Sequence, residues 1–274
     1  MRIAVLGTGK MGGAAARRLS SSGFPVVLWN RSRERAEAVG VGTVAESPAE
    51  AVAEADLAIS VLTGPAAVRE VYAQLDPRGD RVYLEMSTAG PEVPEELARR
   101  FHRLLAAPVI APPRLVEAGT AVFLAGGPEE ALQAAQPVFD ALGEVRYVGT
   151  YARAAALKLI NNTMLAITTA AGAELVEAGV RQGLTPEEAF EWVKRHAPYL
   201  ETRQSGFLGG PYEPVTFALR DMLKDVDLSL ELFNGKGNPM PILASVRGAF
   251  ADVADEFGGS ELTAVIERYK PGRA

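Results

Sequence analysis

A G-x-G-x-x-G at residues 7–12, Gly7-Thr8-Gly9-Lys10-Met11-Gly12, constrains this chain more than any other feature. It follows a short apolar run at residues 2–6, β-branched at Ile3 and Val5, which reads as a buried strand. Residues 13–19 are rich in Ala, Arg and Leu and helical by propensity. A second apolar run, residues 25–29, follows Gly23, which can end that helix. Strand, glycine turn, helix and strand is the context in which the motif has a mechanism. Gly7 permits the tight turn, Gly9 lets backbone approach a pyrophosphate, and Gly12 lets the helix pack on the strand. The helix N-terminus then faces the phosphates. A dinucleotide held by Gly7, Thr8, Gly9, Lys10, Met11 and Gly12 is expected.

The end of the second strand discriminates between dinucleotides. An Asp or Glu there accepts from the ribose 2′-OH of NAD. This chain has Asn30-Arg31-Ser32 instead. Arg31 can pair with a 2′-phosphate through its planar fork and Ser32 can donate to it, so NADP is expected, with Asn30, Arg31 and Ser32 in the site.

The whole chain of 274 residues bounds the function class by composition. It is 48% hydrophobic and 23% charged, enough to bury a sizeable core, and its length suits two domains or one large one. The net charge of −6 provides no electrostatic footprint for nucleic acid. No apolar run reaches membrane-spanning length and no signal-like segment stands before the first strand, so a cytoplasmic protein without a membrane partner is expected. Zero Cys removes disulfides, thiolate catalysis and thiolate-bound metal. The two His, His102 and His196, sit in charged contexts and are expected at the surface, with no metal site.

Residues 1–150 alternate apolar runs with helical segments. Ser47-Pro48-Ala49-Glu50 reads as a capping box, and strands are expected at 57–62, 82–85, 104–110, 121–125 and 145–148. Residues 111–120 read as irregular, and 128–142 as helix. Such alternation implies a mostly parallel, Rossmann-type doubly wound sheet, with ligands beyond the strand C-termini. Residues 7–12, Leu62-Thr63-Gly64-Pro65 and Ser87-Thr88 all fall there. After residue 150 the strands stop. Residues 153–182 form one long helical pattern of Ala, Thr and Gly, which points to a central interdomain or dimer helix. Thr185-Pro186-Glu187-Glu188 reads as another capping box that opens the next helix, and further helices are expected at 216–233, 241–256 and 260–269. The expected class is α/β: a cofactor domain at 1–150 and an all-helical substrate and dimerisation domain at 151–274.

On the long helix Lys158 and Asn162 are four apart and share a face. The neighbours of Lys158 are apolar, and a partly desolvated amine there suits general acid/base work.

These residues resemble the β-hydroxyacid dehydrogenases, a family that includes 3-hydroxyisobutyrate dehydrogenase and the glyoxylate/succinic semialdehyde reductases. The likeness runs through nearly the whole chain as five ordered motifs: the glycine turn with Met11, Met86-Ser87-Thr88-Ala89-Gly90-Pro91, residues 106–109 running on to 117–120, Lys158-Leu159-Ile160-Asn161-Asn162, and Leu223-Lys224-Asp225-Val226-Asp227-Leu228. The resemblance implies hydride transfer at a nicotinamide in an interdomain cleft, with Lys158 moving the proton and Asn162 orienting the substrate oxygen. It implies substrate contacts from Ser87, Thr88 and Ile110, and a Lys224 that adds positive charge near cofactor and substrate. It also implies a homodimer or homotetramer. The chain departs from the family's usual Ser-Gly-Gly at Ile110-Ala111-Pro112, and has Ala106, Ala152 and Ala154 where the family has Asp and two Gly. Ile and Pro remove donors that would hold a carboxylate, so a more apolar pocket is expected. An NADP-dependent reductase or dehydrogenase of a small hydroxyacid or semialdehyde is the leading reading. An imine-reductase-like enzyme and a catalytically silent NADP-binding protein are the alternatives.

Overall fold

The computed structural model describes residues 1–272. Three strands, β1 (Ile3–Leu6), β4 (Leu57–Ser60) and β5 (Val82–Glu85), are buried at every position. That is what a parallel strand covered on both faces requires, and it is why they read as near-continuous apolar runs. With β2 (Val26–Trp29), β3 (Thr43–Val44), β6 (Leu104–Ala106), β7 (Ala121–Gly126) and β8 (Gly143–Gly149) they form one sheet of order β3-β2-β1-β4-β5-β6-β7-β8. Every pairing is parallel except β6 with β7, joined through Ala106 and Gly126.

The period-two alternation of each strand divides the apolar side chains between two cores. Ile3, Val5, Leu57, Ile59, Val82 and Leu84 enter one of them, facing α1 (Lys10–Ser21), α6 (Pro113–Ala118) and α7 (Glu129–Leu142). Ala4, Leu6, Ala58 and Tyr83 enter the other, facing α3 (Pro48–Ala53), α4 (Gly64–Ala73) and α5 (Glu92–Ala98). The strand order reverses direction at β1, which neighbours both β2 and β4, so the switch point lies at the C-terminal ends of β1 and β4.

Two compact units divide between Lys158 and Leu159, inside the 31-residue helix α8 (Tyr151–Arg181). The second unit packs Ala166, Ala170, Ala173 and Val176 of α8 with Phe190, Phe207, Met222 and Phe250. It contains α9 (Pro186–His196), α10 (Gln204–Phe207), α11 (Leu219–Asn234), α12 (Pro241–Phe257) and 3₁₀ turns at Pro198–Arg203 and Leu262–Tyr269. Thr185 and Glu188 form both halves of the expected capping box at the start of α9.

Several local expectations need correction. Residues 111–120 are not irregular: they hold α6, opened by Pro113 and closed by Gly119 at φ +75°. The Ser47 hydroxyl does accept from Glu50 N–H at 3.1 Å, but the Glu50 carboxylate returns to Glu46 N–H rather than to Ser47. The last segment is 3₁₀ rather than α-helical, with Leu262 to Ile266 all buried, a covering on all sides that one amphipathic stripe cannot supply. On helix α8 the small residues turn inward. A Cβ at Gly172 would meet Val193, Leu200 and Phe207 at 3.1–3.3 Å, so the small side serves the unit's own core. The exposed side carries Leu157, Ile160, Met164 and Leu175. Among the described residues no helix is long and apolar enough to cross a membrane.

Candidate active site

The chain leaves β1 through Gly7, whose φ of +91° lies in the left-handed region that favours glycine. A Cβ at Gly7 would stand 2.2 Å from the Val61 carbonyl oxygen, and one at Gly12 would stand 1.9 Å from the Gly7 carbonyl oxygen. Close backbone approach within the protein therefore requires both. Gly9 differs: its φ of −62° suits any residue, and a Cβ there would meet nothing within 4 Å. The space it leaves lies at the start of α1, whose first internal bond runs from Gly13 N–H to Gly9 O. Neither a side-chain cap nor an acidic residue closes that helix end, so its first-turn N–H groups and dipole face outward. Thr8 is buried, and its hydroxyl has no partner among the described residues. A cradle that a Cβ would fill, an orphaned hydroxyl and an uncapped helix end fit a pyrophosphate. Lys10 is exposed beside this turn, while Met11 packs against the core.

At the end of β2, the Asn30 amide accepts from Thr8 N–H at 3.1 Å and donates to the Ser32 carbonyl at 3.0 Å. The Ser32 hydroxyl donates to Glu34 at 2.8 Å, which helps to hold that carboxyl below its ordinary range, after the larger effect of a backbone hydrogen bond. Arg33 is tied to Glu37 and Glu46. Arg31 is exposed and has no ion-pair partner among the described residues. Both arginines are exposed, and of the two only Arg33 is engaged by carboxylates among the described residues.

The loops after β4 and β5 are cross-braced. Leu62 N–H donates to the Ser87 hydroxyl at 2.8 Å, and Ser87 N–H donates to the Glu85 carboxylate at 2.9 Å. Thr63 is exposed as the N-cap of α4, and Thr88 is half-buried. Ser87 keeps its own hydroxyl hydrogen as a donor. Glu85, 2% exposed, is a brace that sequence reasoning missed. The signal was there: an acid closes an otherwise apolar buried strand.

Two anchors seven residues apart hold the first turns of α8. Tyr151 donates its hydroxyl to the Leu104 carbonyl at 2.9 Å, and burial pushes that phenol up to about 12. Lys158, partly buried, donates from Nζ to the Val109 carbonyl at 2.8 Å. The amine therefore stands at the start of the loop that begins with Ile110. Ile110 spends its N–H on Val122 O at 2.7 Å, and Pro112 and Pro113 have none.

One turn further on, Asn162 is 3% exposed and donates to the Asp225 carboxylate at 2.5 Å, while its carbonyl accepts from Asn161 at 3.0 Å. Lys224 pairs with the other Asp225 oxygen. Asp225, also 3% exposed, thus holds together the two residues of this unit singled out from sequence. It falls on the apolar stripe of α11 with Met222, Val226 and Ser229, and a carboxylate at such a position was its signal. His102 and His196 are exposed, and among the described residues no group of His, Asp or Glu side chains could hold a metal.

Residues 2–151 match the family described as the NAD binding domain of 6-phosphogluconate dehydrogenase. Residues 152–269 match the one described as NAD-binding of NADP-dependent 3-hydroxyisobutyrate dehydrogenase. The chain is a member of the β-hydroxyacid dehydrogenase family. It is similar to glyoxylate/succinic semialdehyde reductase 1 of Arabidopsis thaliana, 28% identical over the whole of both chains. It is 30% identical to the mitochondrial 3-hydroxyisobutyrate dehydrogenase of Mus musculus, over 68% of this chain and 59% of that one. The solved Mycobacterium tuberculosis 3-hydroxyisobutyrate dehydrogenase, determined with L-serine, superposes with a TM-score of 0.83 at 26% identity, covering 98% of this chain and 100% of that one. As a β-hydroxyacid dehydrogenase, this chain is an NAD(P)-dependent oxidoreductase acting on a CH–OH group.

Proposed function

We propose that this β-hydroxyacid dehydrogenase works between NADP(H) and a small 3-hydroxyacid or semialdehyde, with Lys158 as general acid/base. A bound nicotinamide supplies or accepts the hydride. Lys158 Nζ gives a proton to the substrate carbonyl oxygen in reduction and takes one from the hydroxyl in oxidation. The observation that carries this reading is the partly buried amine, fixed 2.8 Å from the Val109 carbonyl on a helix anchored again at Tyr151. Positioning of this kind is what proton transfer needs. Asn162 on the same helix face, through the amide hydrogen left beyond its bond to Asp225, and the Ser87 hydroxyl orient the substrate. Thr88 and Ile110 contact it, and Lys224 favours an anionic group to the extent that Asp225 does not offset its charge. NADP is preferred on the strength of Arg31, free of carboxylate partners among the described residues, next to Ser32. The names of the plant and mouse relatives support a small carbonyl or hydroxyacid substrate.

A second reading, reduction of an imine or an uncharged carbonyl, is favoured by the donor-poor stretch Ile110-Ala111-Pro112-Pro113 beside Lys158. Turnover of NADPH with succinic semialdehyde, butanal and a cyclic imine separates the two. Lys158→Ala should lower kcat on the best aldehyde by roughly a hundredfold or more while leaving NADPH binding nearly unchanged. Lys158→Arg should rescue little, because guanidinium does not give up its proton at neutral pH. Near-parental turnover in Lys158→Ala would refute the acid/base role and advance the imine reading.

The assembly we propose is a homodimer, or a tetramer built from dimers. Its support is the exposed row Leu157, Ile160, Met164 and Leu175 along α8.

A further inference from the structure

Asn30 stands where the ribose end of a dinucleotide is read, and a direct contact would be its ordinary role. Its side chain is instead spent inside the protein. The β1–β2 ladder runs out at Gly7, whose N–H donates to Trp29 O at 2.8 Å. Asn30 extends it by one rung, since its amide oxygen takes the next N–H of the turn, that of Thr8, at 3.1 Å. The other end of the same amide donates to the Ser32 carbonyl at 3.0 Å. Both consequences face the cofactor. Thr8 is held with a buried hydroxyl that has no partner among the described residues, as a group kept for a ligand oxygen would be. Arg31 is bracketed between residues 30 and 32, which fixes the backbone from which its unpaired guanidinium extends.

We infer that Asn30 is a positioning residue that makes the phosphate-binding turn and the 2′-phosphate segment one rigid unit. The inference rests on the cofactor reading above. An amide is needed at this position. A carboxylate could still accept from Thr8 N–H, but it has no hydrogen for the Ser32 carbonyl and would set negative charge beside a 2′-phosphate. Alanine would release both ends.

Calorimetric titration with NADPH, NADH and 2′,5′-ADP, together with hydrogen exchange at the Thr8 amide in ligand-free protein, tests this. Asn30→Ala should lose Thr8 protection before any ligand is added. It should also weaken NADH by about fivefold, although NADH has no 2′-phosphate, as expected for one lost hydrogen bond. Asn30→Asp should keep Thr8 protected and hold NADH within about threefold, while NADPH and 2′,5′-ADP weaken by roughly tenfold or more. Unchanged Thr8 protection and NADH affinity in Asn30→Ala, with loss confined to the phosphorylated ligands, would make Asn30 a direct contact and overturn the inference. Should Asn30→Ala not fold, loss of Thr8 protection in Asn30→Asp overturns it equally. Equal affinity of the parent for NADPH and NADH would defeat the NADP preference alone, because the Thr8 and NADH measurements still decide the role of Asn30.

Discussion

Asp225 shows how much of this site is carried by a residue with no proposed contact to substrate. Its carboxylate is buried, and it accepts from the Asn162 amide on one oxygen and pairs with Lys224 on the other. Asp225→Ala leaves a buried amide without its acceptor and removes the counter-charge of a partly buried ammonium. Such losses cost about 2 kcal/mol. A lower urea midpoint with an unchanged slope is the expected outcome, and Asp225→Asn, which keeps the shape and one acceptor, should lose less. Equal midpoints for Asp225→Ala and the parent would show that Asn162 and Lys224 find other partners.

The turn between β1 and α1 separates two uses of glycine that the motif alone cannot tell apart. At Gly12 a Cβ would collide with the Gly7 carbonyl at 1.9 Å, and the obstacle is backbone. Gly12→Ala should therefore lower Tm in the ligand-free protein, since forcing atoms into a packed turn typically costs about 1–3 kcal/mol. At Gly9 the protein offers no obstacle. Gly9→Ala should keep the parental Tm without ligand yet lose most of the Tm increase that NADPH gives the parent, because the methyl group occupies the pyrophosphate's approach. Differential scanning calorimetry with and without NADPH checks both. A parental response to NADPH in Gly9→Ala would place the cofactor elsewhere.

At the scale of the whole molecule, α8 carries apolar side chains on two sides. Its small face, with Ala166, Ala170 and Ala173, is buried in its own unit. Its large face leaves Ile160 at 54%, Met164 at 58% and Leu175 at 61% exposed. A groove beside it, lined by Ile167, Ala171, Ile242, Val246 and Ala249 together with Glu174, Asp252 and Arg268, runs from α8 onto α12. A helix of this kind is stable in water when a partner covers it. Light scattering at micromolar concentration should give a dimer or a multiple of one. Met164→Glu with Leu175→Glu, both at exposed positions, should yield folded monomer. A monomeric parent would remove the assembly from the proposal.

Much of this was legible in the sequence because the deciding physics is local. Burial of the parallel strands on both faces makes them near-continuous apolar runs, so β1, β4 and β5 stand out. Gly7 must adopt positive φ and Gly12 must admit a backbone carbonyl, so glycine marks both. Thr185-Pro186-Glu187-Glu188 satisfies its own helix end, so its capping box reads directly. What tertiary structure alone decided depends on partners distant in the chain. Nothing in the spacing of Asn30 marks the hydrogen bond that its amide accepts from Thr8, 22 residues away. Asp225 reads as one of four acids in α11 until Asn162, 63 residues away, reaches it. The small residues of α8 suggest a central interdomain or dimer helix without saying which neighbours they meet, and Leu200 and Phe207 against Gly172 supply one part of that answer. Spacing along a chain records what a residue can do, whereas burial and hydrogen bonding across the fold determine which of those capacities is already spent.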